Sequence, residues 1–218
     1  MKLESAGILI EMHPLNERDS IARIFSCDYG VMAGVMRGAQ IAKKNRPLVG
    51  QVGQVVWNAR LDSQLGVFHW DATRNMVAPI IGDCYRLAMT GAAFALLAEL
   101  LPERENYGGL YIATMDMLTE LATAVHPDEA YINWEIKFLK DIGYALDLRA
   151  CAGCGTSENL KYLSPRTCRA VCANCAAPYI DRLYKLPMSL NLGRQLIQRI
   201  CADQGVSAPA ARLMLCDN

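Results

Sequence analysis

An α+β chain of more than one domain is what this sequence predicts: a five-stranded β-barrel, then an α-helical domain with an inserted four-cysteine module. Three observations predict it. Residues 4–80 alternate short apolar runs with Gly, Asp and Asn punctuation, the mark of short strands joined by turns. After residue 81, apolar positions recur at three- and four-residue steps, the helical period. Late in the chain Cys151-Ala-Gly-Cys154 and Cys172-Ala-Asn-Cys175 stand seventeen residues apart, the spacing of four thiolates on one metal ion. The expected boundaries are 1–80 for the barrel, 81–218 for the helical domain, and about 149–178 for the metal module.

The totals permit this and narrow the function classes. A chain of 218 residues, 52% hydrophobic, can bury a sizeable core. Formal net charge is zero, so there is no overall pull toward polyanions. The distribution is uneven: +2 over 1–80, −6 over 81–150 and +4 over 151–218. An acidic middle between basic ends argues against one uniform fold. No secretory signal is visible, since Glu4 and Glu11 bracket the short apolar run Ala6–Ile10. The longest apolar run, Leu87–Leu101, contains Thr90 and Glu99 and is too short to span a bilayer. A reducing cytoplasm, with no membrane partner, is the expected setting, and there nine cysteines favour a metal site over disulfides.

Strands are expected over Ser5–Glu11, Asp19–Ser26, Val31–Arg37, Gly50–Arg60 and Leu65–Asp71. Asp28-Tyr29-Gly30 is a hairpin turn between the second and third. Gly34 marks a bulge or a tight barrel bend. Five short strands in so few residues suit the five-stranded oligonucleotide/oligosaccharide-binding (OB) barrel. Between the third and fourth strands lies a loop with four cations in ten residues, Arg37, Lys43, Lys44 and Arg46. Phosphate binding needs charge more than geometry, so this loop and Arg60 are candidate phosphate contacts. The ordinary alternative is a solvated connector. Trp57, Phe68, His69 and Trp70 are either stacking surfaces or barrel core.

In the middle third, helices are expected over Gly82–Leu101, about Leu110–Val125, and from Asp128 to near Gly143. Pro102 stops the first, because proline lacks the amide hydrogen. On the second, Ile112, Met115, Leu118, Leu121 and Ala122 form the apolar face. Met89, Met115 and Met117 are core more readily than a partner groove. The acids Glu99, Glu103, Glu105, Asp116, Glu120, Asp128 and Glu129 are expected as solvated faces and caps.

In the last third, the two Cys-x-x-Cys knuckles call for a tetrahedral Zn2+ with sulfur ligands near 2.3 Å. Gly153 and Gly155 suit the tight turn of the first knuckle. With four thiolates the site is closed, hence structural. Cys168 is a bystander or a replacement ligand. Arg166 and Arg169 are candidate phosphate contacts or solubilising charge. Helical pattern resumes at Tyr179–Tyr184 and Leu190–Ile200, and Val206–Asn218 is weakly specified.

The run NERDSIARIFSCDYGVMAGVMRGAQIAKKNRP resembles the amino-terminal barrel of the bacterial RecO family of recombination mediators. Arg37, Gly38 and Ala39 fall on that family's strand end, and Lys43, Lys44 and Arg46 in its basic loop. The acidic helical block resembles the family's central domain. YALDLRACAGCGTSENLKYLSPRTCRAVCANCA resembles its zinc segment. Small residues, often Gly-Gly, stand in the family where this chain has Cys168-Arg169. Not every member keeps the four cysteines, so the metal is not what makes the activity.

The resemblance implies DNA repair by homologous recombination: binding of single- and double-stranded DNA and annealing of complementary strands. It also implies that, with RecR, the protein helps load RecA onto DNA coated by single-stranded-DNA-binding protein (SSB), whose acidic, hydrophobic C-terminal tail it contacts. Nucleoid association would follow. No catalytic constellation is expected: Cys27, Cys84, Cys201 and Cys216 have no nearby His in sequence, and no phosphate-cradling Gly-x-x-x-x-Gly-Lys-Ser/Thr run exists. The rival is a zinc-containing interaction scaffold that does not touch DNA.

Overall fold

The structure, a computed structural model, describes residues 1–42, 46–60 and 65–216. It divides into two compact units, Met1–Ala124 and a second that starts at Val125.

The first unit opens with strands β1 (Lys2–Pro14), β2 (Ser20–Ser26), β3 (Gly30–Met36), β4 (Gln51–Asn58) and β5 (Gly66–Asn75). They close into a barrel in the order β1-β2-β3-β5-β4, with β3 and β5 parallel and the other pairs antiparallel. This is the five-stranded barrel of OB type that the turn spacing predicts. The Asp28–Gly30 turn joins β2 to β3, with the Ser26 hydroxyl accepting from the Tyr29 amide at 3.1 Å. β1 is longer than expected and carries a register shift between Leu9 and Glu11.

Leu9, Ala22, Ile24, Met32, Met36, Val55, Trp57 and Phe68 fill the barrel. Closure is tight where β3 meets β5. A Cβ on Gly66 would stand 2.2 Å from the Trp57 ring, and one on Gly34 would stand 2.8 Å from Phe68. Gly34 therefore marks close strand approach and not a bulge, as the regular β2–β3 and β3–β5 registers require.

Helices α1 (Cys84–Leu100) and α2 (Gly108–Thr123) complete the first unit. α1 packs on the outer face of β1 and β2, and α2 on that of β2. That second layer explains why Ile8-Leu9-Ile10 is apolar without alternation: side chains on both faces are buried. Phe25, which points away from the barrel interior, meets Tyr111 with ring centroids 5.8 Å apart. Arg23 donates to Glu11 at 3.1 Å and to the Ala98 carbonyl at 3.0 Å, tying β2 to the end of α1.

Asp83 caps α1 by accepting from the Tyr85 and Arg86 amides at 3.0 and 3.1 Å. Arg86 donates to Asp83 and reaches across to the carbonyls of Leu121 and Ala124 at the end of α2. The buried face of α2 is Leu110, Tyr111, Thr114, Met117, Leu118 and Leu121. It differs in phase from the expected face. Ile112 is 60% exposed, because Tyr111 and not Ile112 faces the β2 layer.

The second unit begins with α3 (Pro127–Asp141). A three-stranded antiparallel sheet of order β7-β6-β8 follows, from β6 (Leu160–Ser164), β7 (Arg169–Cys172) and β8 (Tyr184–Lys185). One turn of helix, α4 (Ala173–Ala176), and a 3-10 segment Ala177–Arg182 lie between β7 and β8. The segment Tyr179–Tyr184 is thus not the regular helix that its pattern suggests. Then come α5 (Leu190–Gln204) and α6 (Ala210–Met214). Along α3 the Tyr131 and Trp134 rings meet tilted, centroids 5.7 Å apart, and Trp134 stacks on Phe138 at 5.5 Å.

The final segment is better specified than expected. Arg212 on α6 is fully buried and forms a two-pronged pair with Glu135 of α3, also fully buried. The same guanidinium donates to the Leu190 and Leu215 carbonyls at 2.8 and 3.2 Å and lies 5.5 Å from the Tyr131 ring centre.

Candidate metal centre and nucleic-acid surface

Cys151, Cys154, Cys172 and Cys175 come together with every pair of sulfurs within 4.8 Å. Tetrahedral thiolates at about 2.3 Å from a zinc ion are about 3.8 Å apart, and Cys154 and Cys172 stand 3.7 Å apart. A disulfide needs about 2.05 Å, and all four are free thiols. The donor set and its spacing therefore fit one tetrahedral divalent ion.

The local chain explains how. The first knuckle precedes β6, and the second is the end of β7 running into α4, so strand pairing brings the two turns face to face. Amides of Gly153 and Cys172 donate to the Cys151 sulfur at 3.4 and 3.3 Å. Those amide contacts, led by Cys172, hold the Cys151 thiol down at about 6 and so favour the metal-binding thiolate. Contacts with the neighbouring thiols push Cys175 up to about 12, a penalty that a divalent cation would remove. Space at Gly153 is tight: a Cβ there would lie 3.1 Å from the Cys175 sulfur.

Cys168 is not one of the cluster. It is buried at the β6–β7 turn with φ of +53°, and burial raises its thiol pKa. Its left-handed backbone is the conformation glycine adopts most readily.

The candidate DNA contacts fall in both units. Arg37 and Arg46 are exposed and make no ion pair among the described residues; Arg46 donates to Gln40 at 3.1 Å. Arg37 lines a cavity of about 350 Å³ with Met36, Ala42, His69 and Trp70. Lys43 and Lys44 lie outside the described residues. Arg60 is exposed beside a separate cavity with Lys2 and Asn58. In the second unit Arg166 is exposed on the β6–β7 turn, whereas Arg169 stands 3.8 Å from Asp147. Trp57 and Phe68 are core and offer no open face; His69 is exposed and Trp70 half-buried.

Comparison with known proteins decides the family. A model of the recombination protein O N terminal region matches residues 1–71, and one of its C terminal region matches 81–214. The chain belongs to the RecO family. It is 38% identical over 189 residues to the DNA repair protein RecO of Roseobacter denitrificans, covering 86% of this chain and 78% of that one. It is 36% identical over 183 residues to RecO of Dinoroseobacter shibae, covering 83% and 76% of the two chains. With RecO of Cereibacter sphaeroides it shares 35% over 192 residues, covering 87% and 79%. This RecO-family DNA repair protein has, among its described residues, no helix long and apolar enough to cross a membrane.

Sequence reasoning passed over one group of cations. Arg182 and Arg199 line a cavity in the second unit together with Arg166, Tyr179 and Tyr184. The available signal was the charge of +4 over residues 151–218.

Proposed function

We propose that this chain is a non-catalytic recombination mediator that grips single- and double-stranded DNA by its phosphates and anneals complementary strands. With RecR it would help load RecA onto SSB-coated DNA, docking on the SSB C-terminal tail. Residues 1–80 are the DNA-gripping part and residues 81–218 the helical body. There Cys151, Cys154, Cys172 and Cys175 hold a structural Zn2+.

The observation that carries this reading is the exposure of Arg37 and Arg46, without ion pairs among the described residues, on the long β3–β4 connection of the barrel. Unpaired exposed cations can release counterions from DNA at little cost, since they need not first abandon a carboxylate. Lys43 and Lys44 extend the same loop in sequence, and Arg60, Arg166 and Arg169 are further contacts. Phosphate contacts carry no base information, so they suit annealing of any sequence.

Replacing Arg37, Lys43, Lys44 and Arg46 by Glu should weaken binding to all sequences alike. It should also flatten the dependence of log affinity on log salt by about 0.7–0.9 for each phosphate that is no longer neutralised. Affinity and slope that stay at the wild-type level would leave the barrel as a protein-docking module.

A further inference from the structure

A cavity of about 730 Å³ in the second unit lies beside the cysteine cluster. Several separate segments line it. Arg166 comes from the β6–β7 turn, Tyr179 and Arg182 from the 3-10 segment, and Arg199 from α5, with Tyr184 on β8. Its apolar floor includes Pro165, Val171 and Leu183. Arg166 and Arg182 are exposed and make no ion pair among the described residues; Arg199 pairs with Asp203 at 2.9 Å. Among the described residues Asp181 is the one carboxylate on the lining, against the two guanidiniums of Arg166 and Arg182 that have no ion pair. Tyr179 is 57% exposed, a large ring kept in water beside positive charge.

We propose that this cavity is a second strand site, specific for single-stranded DNA. Arg166, Arg182 and Arg199 hold successive phosphates while bases stack on Tyr179 and Tyr184. Exposed aromatic faces combined with cations along a groove are how proteins bind single strands without reading sequence. A duplex hides its base faces and cannot use the tyrosines. The charge is spread over three segments, as a polymer with a repeating charge requires, and is not gathered at one point as a single carboxylate would need. The inference rests on the proposed DNA-holding function and adds to it: each unit carries a strand site, so one chain can hold both partners of an annealing pair.

The test uses the full zinc-loaded chain and an oligothymidylate of about ten nucleotides with 5-iodouracil at defined positions, within the size range of one small site. Wild type should bind two oligonucleotides per chain and cross-link within residues 177–184. Arg166→Glu with Arg182→Glu should reduce this to one and remove that cross-link. Tyr179→Ala, at an exposed position, should melt as wild type and weaken the second oligonucleotide about tenfold. Arg37→Glu with Arg46→Glu should remove the other oligonucleotide and keep the 177–184 cross-link. If that barrel variant binds as wild type while the arginine reversal still removes the cross-link, the barrel reading fails and this site stands. One oligonucleotide per wild-type chain with the 177–184 cross-link present sinks the barrel reading alone, whereas no cross-link in 177–184 overturns the proposal. So does a cavity whose arginines bind poly-glutamate but not the oligonucleotide.

Discussion

At the residue scale, the sharpest feature is one that charge patterning cannot reveal. Arg212 and Glu135 are 77 positions apart and both fully buried. A buried guanidinium survives only because its donors are met by Glu135, Leu190 and Leu215. Removing one partner strands the other charge in a medium that cannot solvate it. Arg212→Met should therefore destabilise the second unit by about 3–5 kcal/mol in denaturant unfolding, and Glu135→Gln with Arg212→Met by markedly less than the sum of the single changes. Additive losses would mean that the two groups do not act as a pair. Cys168 teaches the converse: sequence leaves it a bystander or a replacement ligand, and the fold sets it outside the cluster as a turn residue with a left-handed backbone.

At the element scale, helix and strand periods were legible and their phases were not. Pro102 and Asp83 bound α1 through local chemistry, so sequence suffices there. The face of α2 depends on Phe25, more than eighty positions away, and is visible only in the packing. The α1 start also carries a pH dependence. Amide donors, led by Arg86, hold the Asp83 carboxyl below its ordinary range. A depressed carboxyl contributes stability that is present above its unfolded value of about 3.9 and lost as pH falls through the lower folded value. Asp83→Asn should lower the melting temperature of the protein at pH 7, and the difference should shrink below about pH 4. A difference that persists unchanged at pH 3 would assign the loss to packing alone.

At the scale of the whole molecule, the cysteine cluster and the barrel belong to different compact units. The loop between the knuckles has little core of its own: Cys151, Val171, Cys172 and Ala176 are the buried members of its cluster. Zinc would then stand in for hydrophobic burial. Chelation by a strong zinc ligand, or Cys172→Ser, should accelerate amide exchange across 150–185 and leave β1–β5 protected. Metal analysis should return one zinc per chain before chelation. Loss of barrel protection on chelation would show that the metal supports the entire fold.

By itself the sequence determined what short-range chemistry can encode. It set the barrel's strands and turns, the helical periods, the four-cysteine module and the family. Knuckle spacing, turn residues and caps act between neighbours in the chain, so they can be read in order. Only the tertiary structure decided which aromatics are core, which face of α2 is buried, that Arg169 has an acidic neighbour, and that Arg212 is locked inside. Burial and charge pairing depend on what distant segments bring alongside a residue, and one-dimensional patterning carries no measure of that distance.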